Sequence, residues 1–134
     1  MTVSLDVFVP MEPDHGLGPN ARLHWRAKAS LVADTRAAAK YATVNALHQS
    51  GVLFPKEYPI QIEAVIHWKK GRKMMDPDNA SAILKSYLDG IADAVEVDDS
   101  LFQLQPVEQV GKAPVPGVVF FLSSLQPVRK DDVG

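Results

Sequence analysis

Hydrophobic and polar positions alternate from the start of the chain. Val3, Leu5, Val7 and Val9 fall on one side, and Ser4, Asp6 and Phe8 on the other. A period of two predicts a strand with one buried face. Met11 to Asn20 carries prolines and glycines and reads as a loop. Residues 21–49 are rich in alanine and poor in breakers, which predicts a long helix. Leu23, Ala27, Leu31, Ala38, Ala42 and Leu47 share one face of it or its borders, and Gly51 is placed to end it. A second alternation through Ile60, Ile62, Ala64, Ile66 and Trp68 predicts a strand over 60–68. Lys69 to Asp76 reads as a basic loop, and Pro77 stops any regular strand. A helix follows over 79–95, with Asp78 or Asn79 as its cap. Residues 101–110 and 118–125 read as two further strands, with Pro114, Pro116 and Gly117 marking the turn between them.

The order β-α-β-α-β-β predicts an α+β fold, with helices packed on a mixed sheet. At 134 residues the chain fits a single domain over 1–134, with 126–134 as a frayed tail. It has no cysteine, which excludes disulfides, thiolate metal sites and a cysteine nucleophile, and suits a reducing cytoplasm. No apolar run approaches the roughly 20 residues that a membrane span needs, so no membrane partner is expected. The N-terminus carries Asp6 and does not read as a signal peptide.

The net charge of −2 gives no general reason to expect a nucleic-acid partner. Its distribution says more. Residues 1–75 hold ten Lys/Arg against six Asp/Glu, and residues 76–134 hold four against ten. A basic half can meet phosphates, and an acidic half can hold cations.

Candidate chemistry lies in Met74 to Asp99, MMDPDNASAILKSYLDGIADAVEVDD. On a single helix with about 100° per residue, Lys85 and Asp89 fall beside Asp78, opposite the apolar side of Ile83, Leu84, Tyr87, Leu88, Ile91 and Val95. Asp76 and Asp78 are two apart, and an extended or turning segment can aim both carboxylates one way. Clustered carboxylates repel one another, and a divalent cation removes the conflict. Hard oxygen donors without sulfur or paired histidines favour Mg²⁺, with Mn²⁺ able to substitute. Taken singly, each of these residues has a plainer use. Asp-Pro-Asp-Asn can be a turn and cap, Asp98–Asp99 a solvated turn, and Lys85 with Asp89 a surface pair.

Taken together, Asp76-x-Asp78-Asn79, then Lys85-x-x-Leu88-Asp89-Gly90, then Asp98-Asp99-Ser100, with Pro19-Asn20 and Trp25-Arg26 upstream, resembles the RusA family of Holliday junction resolvases and its phage-borne relatives. The resemblance covers roughly residues 19–100. It implies an α+β homodimer in the cytoplasm of a bacterial or phage-infected cell that nicks branched DNA in recombination and repair. It also implies dependence on Mg²⁺. By position, Asp76, Asp78 and Asp99 match the essential carboxylates, with Asp98 competing for the role of Asp99, and Lys85 matches the family's lysine. Lys85 follows Asp78 by seven residues, the spacing of many phage-type relatives, where other members have four. The glycine usual before the Asp-Asp pair is absent.

Lys69, Lys70, Arg72 and Lys73 lead directly into Asp76 and are candidate phosphate contacts, together with Arg26. Arg22, Lys28 and Arg36 extend that surface. Trp25 is expected to anchor its helix in the core rather than stack on a base. Met74 and Met75 are expected to pack, with a wedge between base steps as the alternative. No Gly-rich phosphate loop or Ser-His-Asp arrangement occurs, so no nucleotide cofactor is expected. Two other classes stay open. One is a non-catalytic DNA-junction-binding protein on the same fold. The other is an Asp-x-Asp enzyme acting on a nucleotide-linked substrate, for which the chain is short.

Overall fold

The first alternation forms strand β1, Thr2–Val9, in the computed structural model, which describes residues 2–19, 21–70 and 75–125. The predicted second strand is β2, Ile60–His67. The two run in the same direction but do not touch. Between them lies β5, Gly117–Leu125, antiparallel to both: Phe120 faces Val7 on one side and Ala64 on the other. Two short strands, β3 (Phe102–Leu104) and β4 (Glu108–Val110), pair in parallel along the other edge of β2. The result is the expected α+β fold with a mixed sheet.

Alternation becomes burial on one face of this sheet. Val7, Val9, Ile60, Ile62, Ile66, Val118, Phe120 and Leu122 are buried under the helices. Each such side chain contributes about 1.5–3 kcal/mol by leaving water. The opposite face carries Asp6 and Glu63 on either side of Phe121 and is open to solvent. Residues 101–110 were expected as one strand. They form two because Pro106 has no N–H to give the ladder, and the pairing breaks around it.

Helix α1, Trp25–Ser50, crosses from β1 to β2. His24 caps it by accepting the Arg26 N–H at Nδ1 (3.2 Å), and Gly51 ends it at φ 70°, a left-handed position that suits glycine. Its most buried residues are Thr35, Ala39 and Thr43, a stripe of small side chains four apart. Both hydroxyls donate to the carbonyl one turn back, Thr35 to Leu31 (2.8 Å) and Thr43 to Ala39 (2.7 Å), so neither is left unsatisfied. The expected apolar face only flanks this stripe: Ala27 is exposed, and Leu23 lies outside the helix and is exposed too.

The second helical segment differs most from expectation. It starts at Pro77, two residues early, and divides at Leu84 into α2 (Pro77–Ile83) and α3 (Lys85–Val95). Pro77 suits the first turn, where its missing N–H has no helical partner to lose. At Leu84 (φ −89°, ψ 0°) the ladder tightens, and the Leu84 N–H donates to Ser81 at 3.2 Å. The α3 helix then packs against α1 through Gly90, where an added Cβ would lie 2.3 Å from the Arg36 carbonyl oxygen. Tyr87, also on α3, reaches across the core to donate its hydroxyl to the Met11 carbonyl (2.6 Å). Burial, reinforced by Glu12 and Asp14, raises its pKa well above the usual tyrosine range.

Among the described residues no helix is long and apolar enough to cross a membrane. The expected frayed tail, 126–134, lies outside the described residues.

Candidate metal and DNA site

The cap of α2 is Asp76, not Asp78 or Asn79. Its Oδ1 accepts the Asn79 N–H at 2.9 Å, and its Oδ2 accepts from the Asn79 side-chain amide at 3.3 Å. Asp78 sits in the first turn, where the positive end of the helix dipole favours a carboxylate. The plainer use of Asp-Pro-Asp-Asn is therefore realised here, and both carboxylates remain exposed.

The break at Leu84 makes the single-helix wheel invalid as a guide to where Asp78 points relative to Lys85. The structure places Lys85 and Asp89 together in an open cleft of about 450 Å³, facing Asp98 and Asp99. Two pieces of sequence that were linked only by their order thus meet in space. Among the described residues, neither Asp76 nor Asp78 lines this cleft. Asp98 starts the short turn Asp99–Leu101 by accepting the Ser100 N–H at 2.9 Å. Hydrogen bonds from the Ser100 backbone and hydroxyl hold its carboxyl below the usual range. Because Asp98 is occupied in this way, Asp99 is the freer donor of the pair.

Arg36 and Asp93 complete the rim. Arg36 donates from Nε (2.6 Å) and a terminal nitrogen (2.8 Å) to the two oxygens of Asp93. This fork raises the Arg36 pKa, and the nearby charges of Asp89 and Asp99 add to the shift. The same contact lowers the Asp93 pKa. The sequence reading placed Arg36 on the wider basic surface and missed its position at the cleft. Its partner is 57 residues away, and no local spacing signals such a pair.

Whether these groups suit a divalent cation has two answers. Their chemistry does: the candidates are carboxylates, and among the described residues Asp76, Asp78 and Asp99 form no ion pair that would compete. Their placement is looser. Among the described residues no three Asp, Glu or His side chains stand close enough together to hold a metal ion.

The basic loop is partly described. Lys69 and Lys70 are exposed, and Arg72, Lys73 and Met74 lie outside the described residues. Both ends of the loop are tied to Gln109 on β4. Its Oε1 accepts from the Trp68 indole (3.1 Å) and from the Met75 N–H (3.2 Å), and its Nε2 donates to the Met75 carbonyl (2.8 Å). Gln109 thus clamps the backbone just before Asp76, and Met75 packs against the core as expected. His15 stacks on Trp68 with ring centroids 5.5 Å apart, which closes the same corner. Gln109 was missed because alternation identifies a strand position and not a side-chain clamp. Gln109→Ala is expected to cost about 1–3 kcal/mol, since it strands a half-buried indole N–H and two backbone groups. Urea denaturation checks this, and an unchanged midpoint would mean that Met75 is held by other means.

Trp25 corrects another expectation. It is 68% exposed rather than packed in the core, with the Arg26 guanidinium 5.1 Å from the ring centroid. The tryptophan that packs is Trp68.

No family model matches the chain. An uncharacterized protein of Xylella fastidiosa (strain Temecula1 / ATCC 700964) is 36% identical over 97 residues, which is 71% of this chain. The chain spans 61% of the length of that relative.

Proposed function

We propose that the chain is a Mg²⁺-dependent, structure-selective endodeoxyribonuclease of the RusA type, which resolves four-way DNA junctions by paired nicks and acts as a homodimer. The observation that carries this reading is the cleft where Lys85 and Asp89 face Asp98 and Asp99. It brings together two parts of the motif, Lys85 and Asp89 from α3 and Asp98 and Asp99 from the turn that follows it.

In this reading Asp76, Asp78 and Asp99 hold the cation, with Asp98 as the alternative to Asp99, and their convergence on loading is part of the proposal. When bound, Mg²⁺ or Mn²⁺ supplies Lewis acidity at the phosphate and lowers the pKa of a water. Lys85 offsets the negative charge that develops on the phosphoryl oxygens. Water adds to phosphorus and the bond to the 3′ oxygen breaks. That oxygen takes a proton, leaving a 5′-phosphate and a 3′-hydroxyl that can be rejoined. Lys69, Lys70, Arg72, Lys73 and Arg26 guide the backbone by charge.

The test is cleavage of a synthetic four-way junction in Mg²⁺ or Mn²⁺. Wild type is expected to give symmetric nicks in opposing strands. Cleavage no greater than that of Asp78→Asn would remove the enzymatic reading. A non-catalytic junction-binding protein is the second reading. It is favoured by the capping roles of Asp76 and Asp98 and by the absence of a closed three-ligand set among the described residues. It predicts junction binding that weakens steeply with salt, without metal-dependent cutting.

A further inference from the structure

We propose that Trp25 is a stacking platform for an unpaired nucleobase, on a DNA strand that tracks along α1 towards the cleft. The inference rests on the nucleic-acid reading above but not on catalysis. It begins from an anomaly of burial. Tryptophan gains more than most residues by leaving water, yet Trp25 is 68% exposed. Among the described residues its indole N–H has no protein acceptor. The residues beside it are Arg26, whose guanidinium stands 5.1 Å from the ring centroid, and His24, whose ring stacks at 5.8 Å. An exposed aromatic ring beside an arginine is an arrangement that holds a base by its π-face and an adjoining phosphate by charge.

Helix geometry gives the surface a direction. Trp25 and Arg36 are eleven residues apart on α1. At about 100° and 1.5 Å per residue they lie within about 20° of one another around the axis and about 16 Å apart along it. The stripe that brings Arg36 to the cleft therefore brings Trp25 to the same side. Between them on that stripe stand Ala29, which is exposed, and Val32, which packs partly against the core; neither is acidic. Asp34, the first acidic residue after Asp14, falls about 180° from Trp25, on the opposite side of the helix. Arg22, Arg26 and Lys28 surround the start of the track. The occupant that fits is a single strand with one exposed base, as at an opened junction. A closed duplex offers no free base face.

Fluorescence anisotropy in EDTA tests this without cutting. The probes are a labelled oligothymidylate, a blunt duplex of the same length and a four-way junction. Trp25→Ala is expected to weaken oligothymidylate binding about 10-fold and duplex binding less than about 2-fold, with the melting temperature unchanged. Trp25→Phe, which keeps a π-face, is expected to recover most of the loss. In wild type, saturating oligothymidylate is expected to quench Trp25 emission, a signal that Trp25→Phe lacks. If wild type binds DNA and Trp25→Ala binds all probes equally well, the platform is overturned and the nuclease reading stands. Equal losses on duplex and single strand overturn it as well. A blue shift on concentrating the protein without DNA assigns Trp25 to contact between copies, which also overturns it. If wild type binds none of the DNAs, this inference and the proposed function fall together.

Discussion

Gly90→Ala is expected to destabilise the protein by about 3 kcal/mol or more, on the order of 10 °C in melting temperature. The sign is the informative part. On an exposed helical surface the same change is favourable by roughly 1 kcal/mol, because alanine loses less chain entropy than glycine. Here the new Cβ would meet the Arg36 carbonyl oxygen at 2.3 Å, with the Ala39 Cβ and the Lys40 nitrogen both at 2.9 Å. Two of these three atoms are backbone and cannot swing aside, so α1 and α3 must separate. Separation also opens the stripe of Thr35, Ala39 and Thr43 and moves Arg36 away from Asp93. Chemical denaturation gives the size of the effect. A melting temperature equal to or above that of wild type would mean that the two helices do not meet at Gly90.

Asp76→Asn is expected to separate two uses of one side chain. Asparagine caps a helix about as well as aspartate, so the Asn79 N–H keeps its acceptor and stability changes by less than about 1 kcal/mol. On the proposed reaction the lost negative charge weakens the hold on the cation, and junction cleavage falls about 100-fold or more. Asp76→Ala removes both roles, and is expected to lose activity together with about 1 kcal/mol of stability. A folded Asp76→Asn that cleaves junctions at the wild-type rate would confine Asp76 to capping.

Strands β1, β2 and β5 were legible because each has one buried face, and a period of two in the sequence is the direct imprint of that face. The mixed sheet followed from element order, but the central place of β5 did not, since pairing partners far apart in the chain leave no local pattern. The division of α2 from α3 was not legible. Leu84 is a good helix former, and the change of hydrogen bonding there is set by how two segments seat on the core. The split between β3 and β4 did have a signal in Pro106, which the alternation of 101–110 masked. In the candidate site, the carboxylates and Lys85 were visible by type and spacing. Arg36, Asp93 and Gln109 act through partners brought near by folding, and sequence spacing carries no trace of them. Trp25 misled because its composition argues for burial while its place at the start of α1 leaves it outside the helix packing.

The central position of β5 also has a consequence for synthesis. Until residues 117–125 leave the ribosome, neither β1 nor β2 has the neighbour that lies between them. From the end of β2 at His67 to Leu125 the ribosome adds 58 residues, on the order of 3–12 s at about 5–20 residues per second. Throughout that interval the edges of β1 and β2 that β5 will occupy stay unpaired, although α1 can already pack on β1 and, once made, β3 and β4 can pair with the other edge of β2. Pairing of β5 then draws together the two ends of the described chain, a contact of long sequence separation that forms late.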